Sequence, residues 1–173
     1  MKQQIDLLPR PASKPAVYNP KEFKLITLRE CNECEHPTIS TPEEAARYWR
    51  EYVTESPTYN PDVESFVVLL LNTRRKIKGH VVISQGILDT ILVHPREVFR
   101  PAIVSASAAV ILMHNHPSGD PAPSEGDIKV TRDIMRAGQL LRIEVLDHVV
   151  MGKPTADGAK GFASLRELGY FCQ

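Results

Sequence analysis

Apolar positions in this chain fall into short blocks whose periodicity changes along the sequence, which predicts strands alternating with helices. The run FVVLLL at 66–71 is unbroken. Read with its flanks, it predicts a strand over 64–71 that pairs with a second over 77–84 as a hairpin, the basic turn around Arg74 and Arg75 lying between them. Residues 87–93 give a third strand candidate. His94-Pro95 then opens a helix on which Val98, Phe99, Ala102 and Ile103 form one inward apolar face. Residues 108–113 are wholly apolar and end abruptly in polar side chains, as expected for a central strand covered on both faces. After a loop rich in proline and glycine, Ser124 starts a helix with Ile128, Ile134, Met135 and Leu141 as core candidates and Gly138 weakening its last turn. A strand over 143–151 follows, then a helical piece at 164–168.

Upstream, Thr41, Pro42 and Glu44 supply a capping hydroxyl, proline at the first helical position and an acid three residues after the cap, so a helix is expected over 42–53. The first forty residues are rich in proline and charge, with one brief extended candidate at 23–28, and read as an arm (1–40) ahead of a single domain (41–173). A chain of 173 residues supplies one substantial core and one active centre. The element order predicts an α/β domain with a mixed central sheet flanked by helices.

Lysine plus arginine balance aspartate plus glutamate at 21 each, so no global field draws the chain to nucleic acid or anionic lipid. The densest basic patch, Arg74, Arg75, Lys76 and Lys78, reads as a solvated hairpin tip rather than a phosphate site. Cys31, Cys34 and Cys172 form no even disulfide framework and the N-terminus has no signal-peptide core, which points to a reducing, cytoplasmic location. The apolar runs are too short to span a bilayer, so no membrane insertion is expected.

The candidate chemistry lies where the central strand ends. His114 and His116 are two residues apart, so their side chains project to one face, and Asp127 sits in the first turn of the following helix. Two imidazoles and one carboxylate suit zinc, and three protein ligands leave a fourth tetrahedral position for water, the arrangement of a catalytic site. Zinc lowers the pKa of such a water to about 7, and a carboxylate base is needed beside it.

HNHP, followed after six residues by Ser124 and after two more by Asp127, with an upstream glutamate, resembles the JAMM motif of the JAB/MPN metallopeptidases. VHPREVFRPAI, HNHPSGDPAPSEGDI and LDHVVMG are similar to the RadC branch of that family, over roughly residues 64–152. The resemblance implies the JAB/MPN fold, with a cytidine-deaminase-like three-layer arrangement, and zinc held by His114, His116 and Asp127. It also implies that Glu64 takes a proton from the zinc-bound water and passes it to the leaving group, while the Ser124 hydroxyl stabilises the oxyanion. Glu64 is placed through the similarity of VESFVVLLL to the strand entry that carries this acid; Glu97, in the first turn of a predicted helix, is the competing candidate.

Plainer roles stand beside these. Ser124 and Asp127 have the spacing of a helix cap and its acid. Ser118, Gly119 and Asp120 read as a turn, with Asp120 alternatively a substrate contact. Either Asp147 or His148 can face the site and orient a ligand imidazole, or the two form a buried pair. His94 reads as a helix-entry residue. Cys31, Cys34 and His36 start a zinc-knuckle pattern that lacks its second half. Tyr48, Trp49 and Tyr52 read as docking residues rather than a base-stacking platform.

Three functions follow in order. The first is a zinc metallohydrolase cleaving a peptide or isopeptide bond, with a peptide or protein conjugate as partner. The second is a DNA-repair or recombination accessory domain, which RadC resemblance suggests but no helix-hairpin-helix segment in residues 1–60 supports. The third is a protein-binding module with a structural metal. A deaminase would need H-x-E and P-C-x-x-C, and neither occurs.

Overall fold

The computed structural model describes residues 38–86, 93–154 and 160–171. The extended candidate at 23–28, the third strand candidate apart from Val93, and Cys31, Cys34, His36 and Cys172 lie outside the described residues. Thr41 caps α1 (Pro42–Tyr48) with the expected reciprocal hydrogen bonds to Glu44. The helix continues as α2, a π-helical turn (Trp49–Val53) in which Thr54 N–H donates to the Trp49 carbonyl at 3.1 Å. That wider turn buries both Trp49 and Val53. The hairpin is β1 (Ser65–Leu71) and β2 (Ile77–Gln85). Then come α3 (Pro95–Val104), β3 (Ala109–Asn115), α4 (Glu125–Leu141), β4 (Glu144–Met151) and β5 (Phe162–Ser164).

The strands form one mixed sheet in the order β2-β1-β3-β4-β5, antiparallel except for the β3–β4 pair. Strict alternation along β1 and β3 divides the core between its two faces. Val67, Leu69, Leu71, Ile111 and Met113 pack under α1 and α2 with Ala45, Ala46, Trp49 and Val53. Phe66, Val68, Leu70, Val110 and Leu112 pack under α3 and α4 with Val98, Phe99, Ala102 and Ile134. The result is the expected α/β sheet between two helical layers, and Tyr48 and Trp49 serve as docking residues in the first layer.

Three expectations are corrected. Ile103 is 55% exposed because α3 buries only the stripe through Val98, Phe99 and Ala102, and the next residue turns about 100° away. Leu141, 44% exposed, is the last residue of α4, where the chain turns through a left-handed Arg142 (φ 56°). The segment at 164–168 is no helix: Ser164 closes β5 and the following residues form turns pinned by Asp147, whose carboxylate accepts from Ser164 Oγ at 2.7 Å and Arg166 N–H at 3.1 Å. So short a segment has too few backbone bonds to outweigh those anchors.

Gly138, expected to weaken α4, is instead what lets the helix approach β4. A Cβ there would lie 2.6 Å from the Ile143 carbonyl oxygen and 3.1 Å from Phe99 Cζ. Gly138→Ala is therefore expected to cost about 1–3 kcal/mol from overpacking despite the better helix propensity of alanine. Urea unfolding checks this; an unchanged or raised midpoint would contradict the close-packing role.

Candidate metal centre

The site forms where β1 begins and β3 ends. The register places Phe66 opposite His114, and carrying it two residues further along both strands sets position 64 across from position 116. Glu64, Phe66, His114 and His116 thus share the face toward α4. His116 stays in line because its N–H donates to the Met151 carbonyl at 2.9 Å. Asn115 points to the opposite face and clamps the β1 entry. Its Oδ1 accepts from Ser65 N–H and its Nδ2 donates to the Val63 carbonyl, each at 3.0 Å, gripping the chain on both sides of Glu64. Asn115→Ala leaves those two backbone groups unpaired and is expected to cost about 1–3 kcal/mol in unfolding free energy; a change below a few tenths would show the clamp to be dispensable.

From the other side, the loop after His116 returns to α4. Gly119, at φ 88°, makes the turn, Asp120 Oδ1 accepts from Ala122 N–H at 2.9 Å, and the Asp120 carbonyl lies 2.8 Å from His116 Nδ1. Asp120 therefore acts through its backbone on His116, with its carboxylate spent in the turn. Ser124 caps α4: its Oγ accepts from Asp127 N–H at 3.2 Å, and Asp127 Oδ2 accepts from Ser124 N–H and Oγ–H, both at 2.7 Å. The cap and the metal-binding geometry coexist, because this same carboxylate turns toward both histidines.

Four ligand atoms, one each from Glu64, His114, His116 and Asp127, lie within 4.8 Å of one another. His114 Nε2 is 3.0 Å from His116 Nε2 and 3.2 Å from Asp127 Oδ1, and His116 Nε2 is 3.5 Å from Asp127 Oδ2. Ligands at about 2.0–2.1 Å from a tetrahedral zinc stand about 3.3 Å apart, and these separations lie near that value, with each Asp127 oxygen facing one histidine. Glu64 Oε1 stands back at 3.9 Å from His114 Nε2. Two imidazole nitrogens and a buried carboxylate converging at this range form an electron-rich pocket that a metal ion could fill. Glu97 lies elsewhere, ion-paired with Arg96 at 3.2 Å and Arg100 at 3.7 Å near the start of α3. His94 is the cap of that helix, accepting from Arg96 N–H at 3.2 Å.

Electrostatics follow the geometry. Burial raises Glu64 above the usual carboxylate range, against an opposing pull from His114. Burial would also raise Asp127, but hydrogen bonds with His114, His116 and Ser124 outweigh it and hold that carboxyl far below the usual range. His116 is raised chiefly by its hydrogen bond to Asp127.

Behind His114, the Nε2 of His148 lies 2.8 Å from His114 Nδ1, and His148 Nδ1 lies 2.6 Å from Thr131 Oγ1. Sequence left open whether Asp147 or His148 faces the ligands. A register shift between Val110 and Ile111 decides it: Val110 pairs with Val145 but Ile111 with Asp147, so β4 bulges by one residue and His148 joins Leu112 on the site face. Asp147 turns instead to Ser164 and Arg166. Phe66, whose ring stacks at 10° to that of His114, Asn115 and Thr131 escaped the sequence reading. Thr131 carried a faint signal, since it lies one helical turn after Asp127.

Fold and site together define a mixed α/β domain with a buried His, His, Asp and Glu group able to bind a metal ion. Residues 39–170 match the RadC-like JAB domain, and the chain belongs to that family. It is 47% identical over 135 residues to a UPF0758 protein of Shouchella clausii, covering 78% of this chain and 54% of the relative. It is 44% identical over 150 residues to one from Desulforudis audaxviator, covering 86% and 60%, and 42% identical over 133 residues to one from Bacillus cereus, covering 77% and 54%. The chain thus spans little more than half the length of these curated relatives. No helix among the described residues is long and apolar enough to cross a membrane.

Proposed function

We propose that this chain is a zinc-dependent hydrolase of peptide or isopeptide bonds, with His114, His116 and Asp127 as ligands and Glu64 as general base. The observation that carries the reading is the convergence of His114, His116 and Asp127 at separations of 3.0, 3.2 and 3.5 Å, with the Glu64 carboxylate beside them at 3.9 Å from His114 Nε2. Zinc held there supplies Lewis acidity, which activates water near neutral pH. Glu64 has the properties of a proton carrier: it is partly buried, its affinity for a proton is raised, and its carboxylate lies beside the ligand groups, 3.9 Å from His114 Nε2. It accepts a proton from the attacking water and returns it to the departing amine, so that the broken amide yields a carboxylate and an amine. Ser124 is the oxyanion donor in this scheme, and its hydroxyl must turn from Asp127 Oδ2 toward the substrate oxygen.

The test is turnover of a peptide and isopeptide library by the zinc-loaded chain. Cleavage that a chelator abolishes and zinc restores is expected; a zinc-loaded chain that cleaves no amide would overturn the reading. Metal uptake should also depend on pH. His116 gains proton affinity from Asp127, and that proton must leave before the nitrogen can ligate. Affinity is therefore expected to be level at high pH and to fall as pH drops through the raised His116 value, above its ordinary 6.5. Zinc titrations at several pH values check the direction; affinity rising on acidification would contradict it.

A further inference from the structure

Resting on that assignment of His114 as a ligand, we propose that Thr131 and His148 are positioning residues that fix the ring proton of His114 on Nδ1 and so present its Nε2 lone pair to the metal. The proton positions follow from one group that can only accept. Thr131 Oγ1 lies 2.6 Å from the Asp127 backbone carbonyl, which has no proton to give, so the hydroxyl donates to it. A hydroxyl has one proton. At 2.6 Å from His148 Nδ1, Thr131 Oγ1 must therefore accept, and His148 carries its proton on Nδ1.

His148 is wholly buried, and its ring nitrogens meet a hydroxyl and another imidazole, so a neutral ring with a single proton is the state this environment holds. Its Nε2 is then a bare acceptor, and the 2.8 Å contact with His114 Nδ1 requires the proton on His114. His114 Nε2 is left with its lone pair directed at His116 and Asp127. His116 reaches the same state by a shorter route, through Nδ1–H donating to the Asp120 carbonyl at 2.8 Å.

Ligating histidines often rest their second nitrogen on a carboxylate or backbone carbonyl, which can only accept. His114 rests on an imidazole, which can accept or donate, and the Thr131 hydroxyl decides which. The chain closes on itself: Thr131 takes its order from the backbone of Asp127, another ligand, so the positioning of two ligands is coupled through α4. Phe66 packs against both rings, at centroid distances of 6.1 Å to His114 and 5.5 Å to His148, which limits their rotation.

The test uses the full chain with zinc alone as probe, read by competition with a chromophoric chelator, together with nitrogen-15 spectra of the histidine rings in the zinc-loaded protein. His148 and His114 are each expected to carry a proton on Nδ1. Thr131→Val should weaken zinc binding by roughly 10-fold and His148→Leu by up to about 100-fold, the range for partners behind metal ligands. Thr131→Ser, which restores the hydroxyl, should recover binding to within about threefold of the original, a rescue that loss of packing alone would not give. The proposal is overturned by a His148 proton on Nε2, or by Thr131→Val binding zinc as tightly as the original chain. Should His148→Leu fail to fold, the threonine pair and the spectra still decide. Failure with zinc still bound by the original chain removes only this proposal, whereas an original chain that takes up no zinc removes the hydrolase reading with it.

Discussion

Glu64→Gln is expected to keep one zinc per chain and to lower turnover by about 10²–10⁴-fold, the usual contribution of a positioned acid–base group. Glutamine matches the size and hydrogen-bonding reach of glutamate but takes up no proton. The separation of effects rests on distance: Glu64 is 3.9 Å from His114 Nε2, farther than the 3.0, 3.2 and 3.5 Å that separate the other three groups. Its chain position is also secured independently of its carboxylate, by Asn115 gripping Val63 and Ser65. Elemental analysis and kcat on one identified substrate decide the matter. Unchanged turnover would take Glu64 out of the chemistry, and loss of zinc would make it a ligand.

The second large effect concerns Asp127, whose carboxylate does two jobs. It completes the cap of α4 through Ser124 and lies against both histidines. Asp127→Ala is expected to abolish stoichiometric zinc binding and to cost stability as well, with about 0.5–2 kcal/mol attributable to the lost cap. Asp127→Asn separates the jobs. The amide oxygen can still accept from Ser124 N–H, but a neutral amide is a poor ligand beside two imidazoles. Zinc binding should be lost in both variants, with the smaller drop in unfolding free energy for asparagine. Equal zinc content in Asp127→Asn and the original chain would show that the carboxylate serves only the cap.

Much of this architecture is legible in the residues. The runs at 66–71 and 108–113 are apolar on both faces, and the two helical layers that cover them explain why. Ser124 and Asp127 announce the start of α4, and the two-residue spacing of His114 and His116 announces a shared face. What periodicity cannot show is a break in periodicity. The extra residue in β4 reverses which of Asp147 and His148 faces the ligands, and nothing in LDHVVMG marks it. Gly138 misled for a related reason: propensity describes an isolated helix, whereas its role depends on the Ile143 carbonyl beyond the end of that helix. The segment at 164–168 reads as a helix in sequence because the anchor that holds it in turns, Asp147, lies on another strand.

The proposed chemistry depends on three side chains sharing one cation with a position left for solvent. X-ray absorption at the zinc edge of the loaded full chain, paired with an anomalous difference map, tests that most directly. The predicted result is one zinc per chain with two nitrogen ligands and one carboxylate oxygen, from His114, His116 and Asp127, at about 2.0–2.1 Å, and one further oxygen from solvent. Zinc located elsewhere, or a fourth protein atom such as a Glu64 oxygen completing the shell, would contradict it.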